Sequence, residues 1–140
     1  MFFKKKILRL SETDATGVLY FAEQFRMAQE IFEEYLEKCG LSLGESLDKG
    51  EFLWPIVHAE GNFLAPIKVG DELELALFVQ KIGTTSFTLG CDFRDANNAR
   101  SLGRTSIVHV AIDRKSWSSS PLPVELRKAL EEIQEKVLSG

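Results

Sequence analysis

Cysteine, histidine, tryptophan and tyrosine each occur only twice in the 140 residues, which narrows the chemistry open to the chain. Cys39 and Cys91 stand far apart and form no Cys-x-x-Cys pair. Neither a disulfide framework nor a zinc site is expected, and both read as reduced, buried thiols. His58 and His109 make no metal-binding cluster, so no metal and no separate cofactor are expected. No apolar run approaches the roughly 20 residues that cross a bilayer, and the basic opening MFFKKKILRL lacks the apolar core of a secretory leader. The expectation is a cytoplasmic protein with no membrane partner. A basic excess is missing as well: 17 Lys and Arg face 21 Asp and Glu, and a net charge of -4 opposes nucleic-acid binding. A Gly-x-Ser-x-Gly elbow and a glycine-rich phosphate loop are also absent.

The remaining composition, 44% hydrophobic and 27% charged, is that of a globular protein, and residues 1–140 read as one domain. Phe2–Leu10 reads as a short edge strand whose lysines discourage further pairing. Phe25, Ala28, Phe32, Tyr35, Leu36 and Cys39 recur at three- and four-residue spacing and predict a long helix over about Ala22–Lys38, with Met27 and Ile31 widening the stripe. Gly40 ends it. LSLGESLDKG reads as a short helix or turn. Four runs rich in Phe, Ile, Val, Leu and Thr follow from Phe52, with Leu73, Leu75 and Leu77 alternating against Glu72 and Glu74. Their short connections predict an antiparallel meander. After a Ser-rich segment that reads as a tether, Val124, Leu126, Leu130, Ile133 and Val137 mark one side of a C-terminal helix.

One broad apolar helix and an antiparallel sheet of about five strands bury their faces only against each other, so the fold class is two-layer α+β with the sheet wrapped around the helix. The last sheet edge stays open, and a dimer with a continuous sheet relieves it.

Between the first strand and the long helix lies SETDATGVLYFAEQF, Ser11–Phe25. Asp14 is too far ahead of the helix start to reach the amides that a capping residue serves, because Gly17 and the β-favouring Val18–Phe21 intervene. It is either a turn-stabilising residue or a functional carboxylate. A carboxylate near the outward-pointing amides of a helix N-terminus suits acyl transfer, which needs a nucleophile or base and donors for a carbonyl oxygen.

TDATGVLYFAEQFRMAQEIFEEYL, Thr13–Leu36, resembles the opening signature of the 4-hydroxybenzoyl-CoA thioesterase-like family of hotdog-fold acyl-CoA hydrolases. LWPIVHAEGNFLAPIKVGDEL, Leu53–Leu73, is similar to the second strand and Gly-Asp turn of that family, so the likeness covers most of the first 113 residues. PIVHAEGNFLAPIKVGD and PLPVELRKAL resemble the members that act on an aromatic acyl-CoA. The resemblance implies a hotdog fold, an acyl-CoA substrate whose CoA is no cofactor, and a homotetramer built as a dimer of dimers with sites between subunits. It makes Asp14 the catalytic carboxylate, as nucleophile or as base, and the Phe21 backbone amide the holder of the thioester oxygen. Gly17 allows the close backbone approach, and Tyr20, Trp54, His58, Phe63 and Ser86 face the substrate. Within that set, Trp54 and Phe63 wall the acyl slot, His58 either meets an acyl hydroxyl or is a structural strand residue, and Ser86 lies near the pantetheine or nucleotide. His109 reads as structural from its place in a clean alternation. Where the family can place arginines ahead of the serine, this chain has Gly83, Thr84 and Thr85, which leaves Arg100, Arg104, Arg114 and Lys115 as phosphate partners or plain surface charges.

Overall fold

A computed structural model describes residues 1–135, the side chains of Ser46 and Lys49 excepted. The elements follow in the order β1 (Phe2–Ile7), α1 (Phe21–Lys38), α2 (Leu43–Lys49), β2 (Phe52–Leu53), β3 (Ile56–Phe63), β4 (Glu72–Ile82), β5 (Ser86–Asp95), β6 (Ser101–Val110), β7 (Ile112–Asp113) and α3 (Val124–Glu132). Five strands form one antiparallel sheet in the order β1-β4-β5-β6-β3, and β2 pairs with β7 separately. Helix α1 lies on one face, giving the two-layer hotdog arrangement.

Spacing explains α1. Gln24, Met27, Ala28, Ile31, Phe32, Tyr35 and Leu36 are its buried residues, a stripe broader than the apolar pattern alone because Gln24 joins it. The helix ends in a Schellman motif: Gly40 takes φ 81°, its amide donates to Glu37, and Leu41 donates to Leu36. Facing this stripe are Leu73, Leu75, Leu77 and Val79 of β4, Phe87, Leu89, Cys91 and Phe93 of β5 and Ile107 of β6, all in the core. Cys91 is buried, and burial together with the nearby Asp92 pushes its thiol up to about 12; Cys39 is half-buried, and both thiols are free. Among the described residues no helix is long and apolar enough to cross a membrane.

Three expectations need correction. The four β runs do not make one meander: β4, β5 and β6 do, but β3 lies on the far side of β6 and never touches β4. Its connection to β4 is no hairpin. Residues 64–71 cross the end of the sheet, where Leu64 and Ala65 donate to the Leu102 carbonyl, Leu19 donates to Ile67, and Gly70 donates to Leu8. The Ser-rich segment is built rather than loose: Trp117 donates to Asp113, Ser120 to Ala111 and Leu122 to Thr84, and Leu122 is buried. On α3, Leu126 and Leu130 face the core with Ile133 just beyond the helix end, but Val124 is 68% exposed, because the helix is entered there through Pro123. Val137 lies outside the described residues.

Candidate active site

Ser11–Tyr20 is a compact hairpin. Asp14 and Val18 are joined by an amide-to-carbonyl bond of 2.8 Å, the Gly17 amide donates to the Asp14 carbonyl at 3.1 Å, and Thr13 bridges Leu19. Gly17 closes the turn at φ 78°, a conformation that side-chain-bearing residues rarely adopt. The hairpin is tied down on both flanks, since Tyr20 donates to Glu12 at 2.9 Å and Val69 donates to Gly17 at 3.1 Å. Glu12 anchors its base. That carboxylate is buried, accepts from the Arg9 amide at 2.8 Å and pairs with Lys6 at 2.7 Å and Arg26 at 2.9 Å. Burial works against its charge, but the Lys6, Arg9 and Arg26 contacts outweigh burial and hold it below the usual carboxylate range.

Asp14 stands exposed at the tip and does not cap the helix. Tyr20 occupies the N-cap position of α1 and no side chain caps it. Instead, Asp14 Oδ1 accepts from the Thr16 hydroxyl at 2.5 Å and the Thr16 amide at 2.8 Å, an Asx turn. Those two bonds, the hydroxyl first, hold the carboxyl below its ordinary value, and the Val18 amide adds a smaller pull in the same direction. Oδ2 has no hydrogen-bond partner among the described residues. The amides of Phe21 and Ala22 also donate to no protein group there, as expected for the first turn of a helix. Both readings of Asp14 therefore have their basis in one side chain: one oxygen stabilises the turn and the other is free.

The residues singled out from sequence fall into separate groups. Asp14, Gly17, Tyr20 and Phe21 share the hairpin end of α1, and the Tyr20 and Phe21 rings lie 4.9 Å apart, both well exposed. Phe63 joins them at the end of β3, where Gln24 of α1 donates to the neighbouring Asn62 carbonyl at 3.0 Å. Trp54 does not; it belongs to a second place, an apolar cavity of about 400 Å³ walled by Phe32, Leu47, Phe52, Trp54, Ile56 and Trp117. Ser86 begins β5 beside the hairpin tip at Gly83, whose carbonyl accepts from Arg127 at 2.7 Å, at the other end of β4 from the Asp14 loop. Its structure offers no contact with Asp14 in the same chain.

Of the two readings of His58, its placement in this chain fits the strand residue. It pairs in register with Val108, one residue off the core-facing Ile107, so it points to the sheet face away from α1 and lies 3.7 Å from Glu60. His109 is the histidine that reaches the cavity. It is buried, stacked on Phe87 at 4.9 Å and 8°, its Nδ1 lies 2.7 Å from the Trp54 carbonyl, and its Nε2 faces Gln29 Nε2 at 3.4 Å. Burial pushes its pKa down, only partly offset by the Trp54 carbonyl. Gln29 and Thr16 were missed. Thr16 carries a local signal, a hydroxyl two residues after Asp; Gln29 stands four residues after Phe25, a polar side chain on the helix's apolar stripe. Of the four basic candidates for the phosphates, Arg104 lies over the Phe78 ring at 5.0 Å and Arg114 donates to the Gly50 carbonyl at 3.4 Å. Among the described residues no three His, Cys, Asp or Glu side chains group closely enough to hold a metal ion.

Comparison with known proteins shows the family. A 1,4-dihydroxy-2-naphthoyl-CoA hydrolase of Prochlorococcus marinus (strain NATL2A) is 38% identical over 116 residues, 78% of this chain and 74% of that protein. The hydrolase of the same name from Nostoc punctiforme is 36% identical over 130 residues, 93% of this chain and 86% of that protein. The crystal structure of a 1,4-dihydroxy-2-naphthoyl-CoA thioesterase from Synechocystis superposes with a TM-score of 0.87 at 30% identity, covering 96% of this chain and 98% of that one. The family model described as thioesterase-like superfamily matches residues 8–134. With that match spanning the hairpin, α1 and every strand of the sheet but β1, the chain belongs to the thioesterase-like superfamily of hotdog hydrolases.

Proposed function

We propose that the protein hydrolyses 1,4-dihydroxy-2-naphthoyl-CoA to 1,4-dihydroxy-2-naphthoate and CoA, a step of menaquinone or phylloquinone biosynthesis carried out in the cytoplasm. The observation that carries the reading is Asp14, ionised, fixed through Oδ1 by Thr16 and free at Oδ2, on a hairpin leading into α1, whose first amides are unpaired. The thioester oxygen accepts from the Phe21 amide, which stabilises the negative charge that grows there as the carbonyl carbon becomes tetrahedral. Asp14 Oδ2 then acts in one of two ways. As nucleophile it bonds to the carbonyl carbon and expels CoA thiolate, and water cleaves the mixed anhydride to return the carboxylate. As base it takes a proton from the attacking water, and CoA thiolate leaves in the same overall hydrolysis. Thiolate is a good leaving group, so one carboxylate and one oxyanion donor suffice. CoA enters with the substrate, and no separate cofactor takes part.

The working assembly is a dimer of dimers. The dimer within it is supported by β3, an edge strand with all eight residues exposed and, among the described residues, no neighbour on its outer side. The test is thiol release from a panel of acyl-CoA substrates including the dihydroxynaphthoyl, 4-hydroxybenzoyl and short-chain thioesters. Fastest turnover of the dihydroxynaphthoyl thioester and a loss of at least about a hundredfold in Asp14→Asn are expected. Unchanged turnover in the variant overturns the mechanism, and inertness toward every thioester identifies a binding module instead.

A further inference from the structure

The hydrolase reading leaves the cavity beside α2 and its buried histidine without a task. With the site lying between subunits, as the family resemblance implies, we infer that His109 Nε2 in this cavity reads the substrate, accepting a hydrogen bond from a hydroxyl of an aromatic ring held at Asp14 of a neighbouring subunit. The inference rests on the proposed hydrolase activity for the identity of the ring, and on geometry for its place.

The tautomer follows from the contacts. A carbonyl oxygen only accepts, so the 2.7 Å contact to Trp54 fixes the hydrogen on Nδ1. Burial keeps the ring neutral, which leaves Nε2 with a lone pair. Its one protein partner among the described residues is the Gln29 amide at 3.4 Å, a long bond that a hydroxyl at about 2.8 Å replaces with profit. Around this acceptor the walls are Phe32, Phe52, Trp54 and Trp117. About 400 Å³ walled by these aromatic faces and by leucines of α2 and β2, with Glu33 exposed, Gln29 half-buried and His109 the buried acceptor, is a slot for a hydroxylated aromatic ring.

The ring cannot come from the same chain's site. Cavity and Asp14 hairpin lie at opposite ends of β3: Ile56 lines the cavity and Phe63 adjoins the hairpin end. Seven residues of strand separate them, about 23 Å, far more than an aryl acyl group spans. The outer edge of β3 removes the difficulty. Ile56, Val57, Phe63 and Leu64 are exposed hydrophobics along it, an unpaired edge of this kind being open to a second copy. Antiparallel pairing of two β3 strands about their midpoint, between Ala59 and Glu60, sets the partner's Ile56 opposite Phe63. The twofold axis then runs through the sheet, both helices stay on one face, and the partner's cavity opens beside Asp14 and Phe21.

Three measurements test this. First, kcat/KM is compared for 1,4-dihydroxy-2-naphthoyl-CoA and 2-naphthoyl-CoA in wild type and His109→Asn, which keeps a donor for the Trp54 carbonyl and has no atom at Nε2. A loss of about tenfold or more on the dihydroxy thioester, with less than about threefold on the hydroxyl-free one, is expected; equal losses, or none, overturn the role of His109. Second, wild type is titrated under argon with 1,4-dihydroxy-2-naphthoate and with 2-naphthoate, following quenching of Trp54 and Trp117. About tenfold tighter binding of the dihydroxy acid is expected; equal affinities overturn the hydroxyl contact. This titration needs neither turnover nor a folded variant, so it decides the cavity even if no thioester is hydrolysed, which would overturn the hydrolase reading alone. Third, Asp14→Asn and His109→Asn chains are co-expressed. A shared site predicts activity on the dihydroxy thioester above that of either variant by itself, because the mixed dimer holds one intact Asp14–His109 pair; no recovery places both groups' action within one chain and overturns the cross-subunit arrangement.

Discussion

Thr16 sets how low a pH the Asp14 carboxylate tolerates before it takes up a proton. Its hydroxyl is the foremost reason that Asp14 stays below the ordinary aspartate range. In the proposed mechanism the ionised form is the reactive one, so the acid limb of kcat/KM is expected below about pH 4, the ordinary value for aspartate. Thr16→Val removes the hydroxyl bond and keeps the amide bond, and the acid limb then moves to higher pH; Thr16→Ser leaves it in place. A pH–rate profile of the three proteins reads this directly. Two residues before Asp14, Glu12 illustrates a different kind of dependence. It is buried between Lys6, Arg26 and the Arg9 amide, so Glu12→Gln leaves two cations facing a neutral group and costs about 2 kcal/mol in urea denaturation. Because its folded pKa is depressed, the stability it contributes is present above about pH 4.5 and fades as pH falls toward its folded value.

At the scale of the element, what the sequence made legible was local. The helix stripe of α1, the alternation of β4 and the turn at Gly17 are each written within a few residues, and each stands where spacing puts it. The position of β3 was not legible. Its eight residues are all exposed, so alternation says nothing about which strand lies beside it, and the partner, β6, begins 38 residues after β3 ends. The cavity escaped for the same reason, since Gln29 and His109 meet across 80 residues. The β3–β6 contact has its own signature in glycine. A methyl group on Gly103 would come 2.6 Å from the Asn62 carbonyl oxygen, a backbone atom that cannot rotate away. Gly103→Ala is expected to cost about 1–3 kcal/mol by thermal or urea unfolding. At Gly61 the same methyl meets the tip of Gln24 at 2.6 Å, which can swing aside. Gly61→Ala therefore costs less stability, but it loosens the Gln24–Asn62 tie that positions the start of α1, and thiol-release assays should show a drop in kcat.

For the whole molecule, acid sensitivity sets in well before the carboxylates titrate. His109 is buried where β6, β5 and α1 meet, and its pKa is depressed from the ordinary 6.5 by burial. The unfolded chain takes up a proton near pH 6.5 while the folded one does not, so stability is full above that value and falls as pH drops through 6 to 5. Thermal melts between pH 8 and 5 should show this decline, and His109→Phe should flatten it. Distance is the other whole-molecule property: acid and aromatic slot occupy opposite ends of a strand and are joined only by the rigid layer between them. In the proposed mechanism, chemistry and selectivity are thereby carried on separate parts of the chain. On that reading, substitutions around α2 and Trp54 would retune the slot for a larger, smaller or less hydroxylated ring while Thr13–Phe21 stays untouched, so one hairpin would serve enzymes that differ only in what they release.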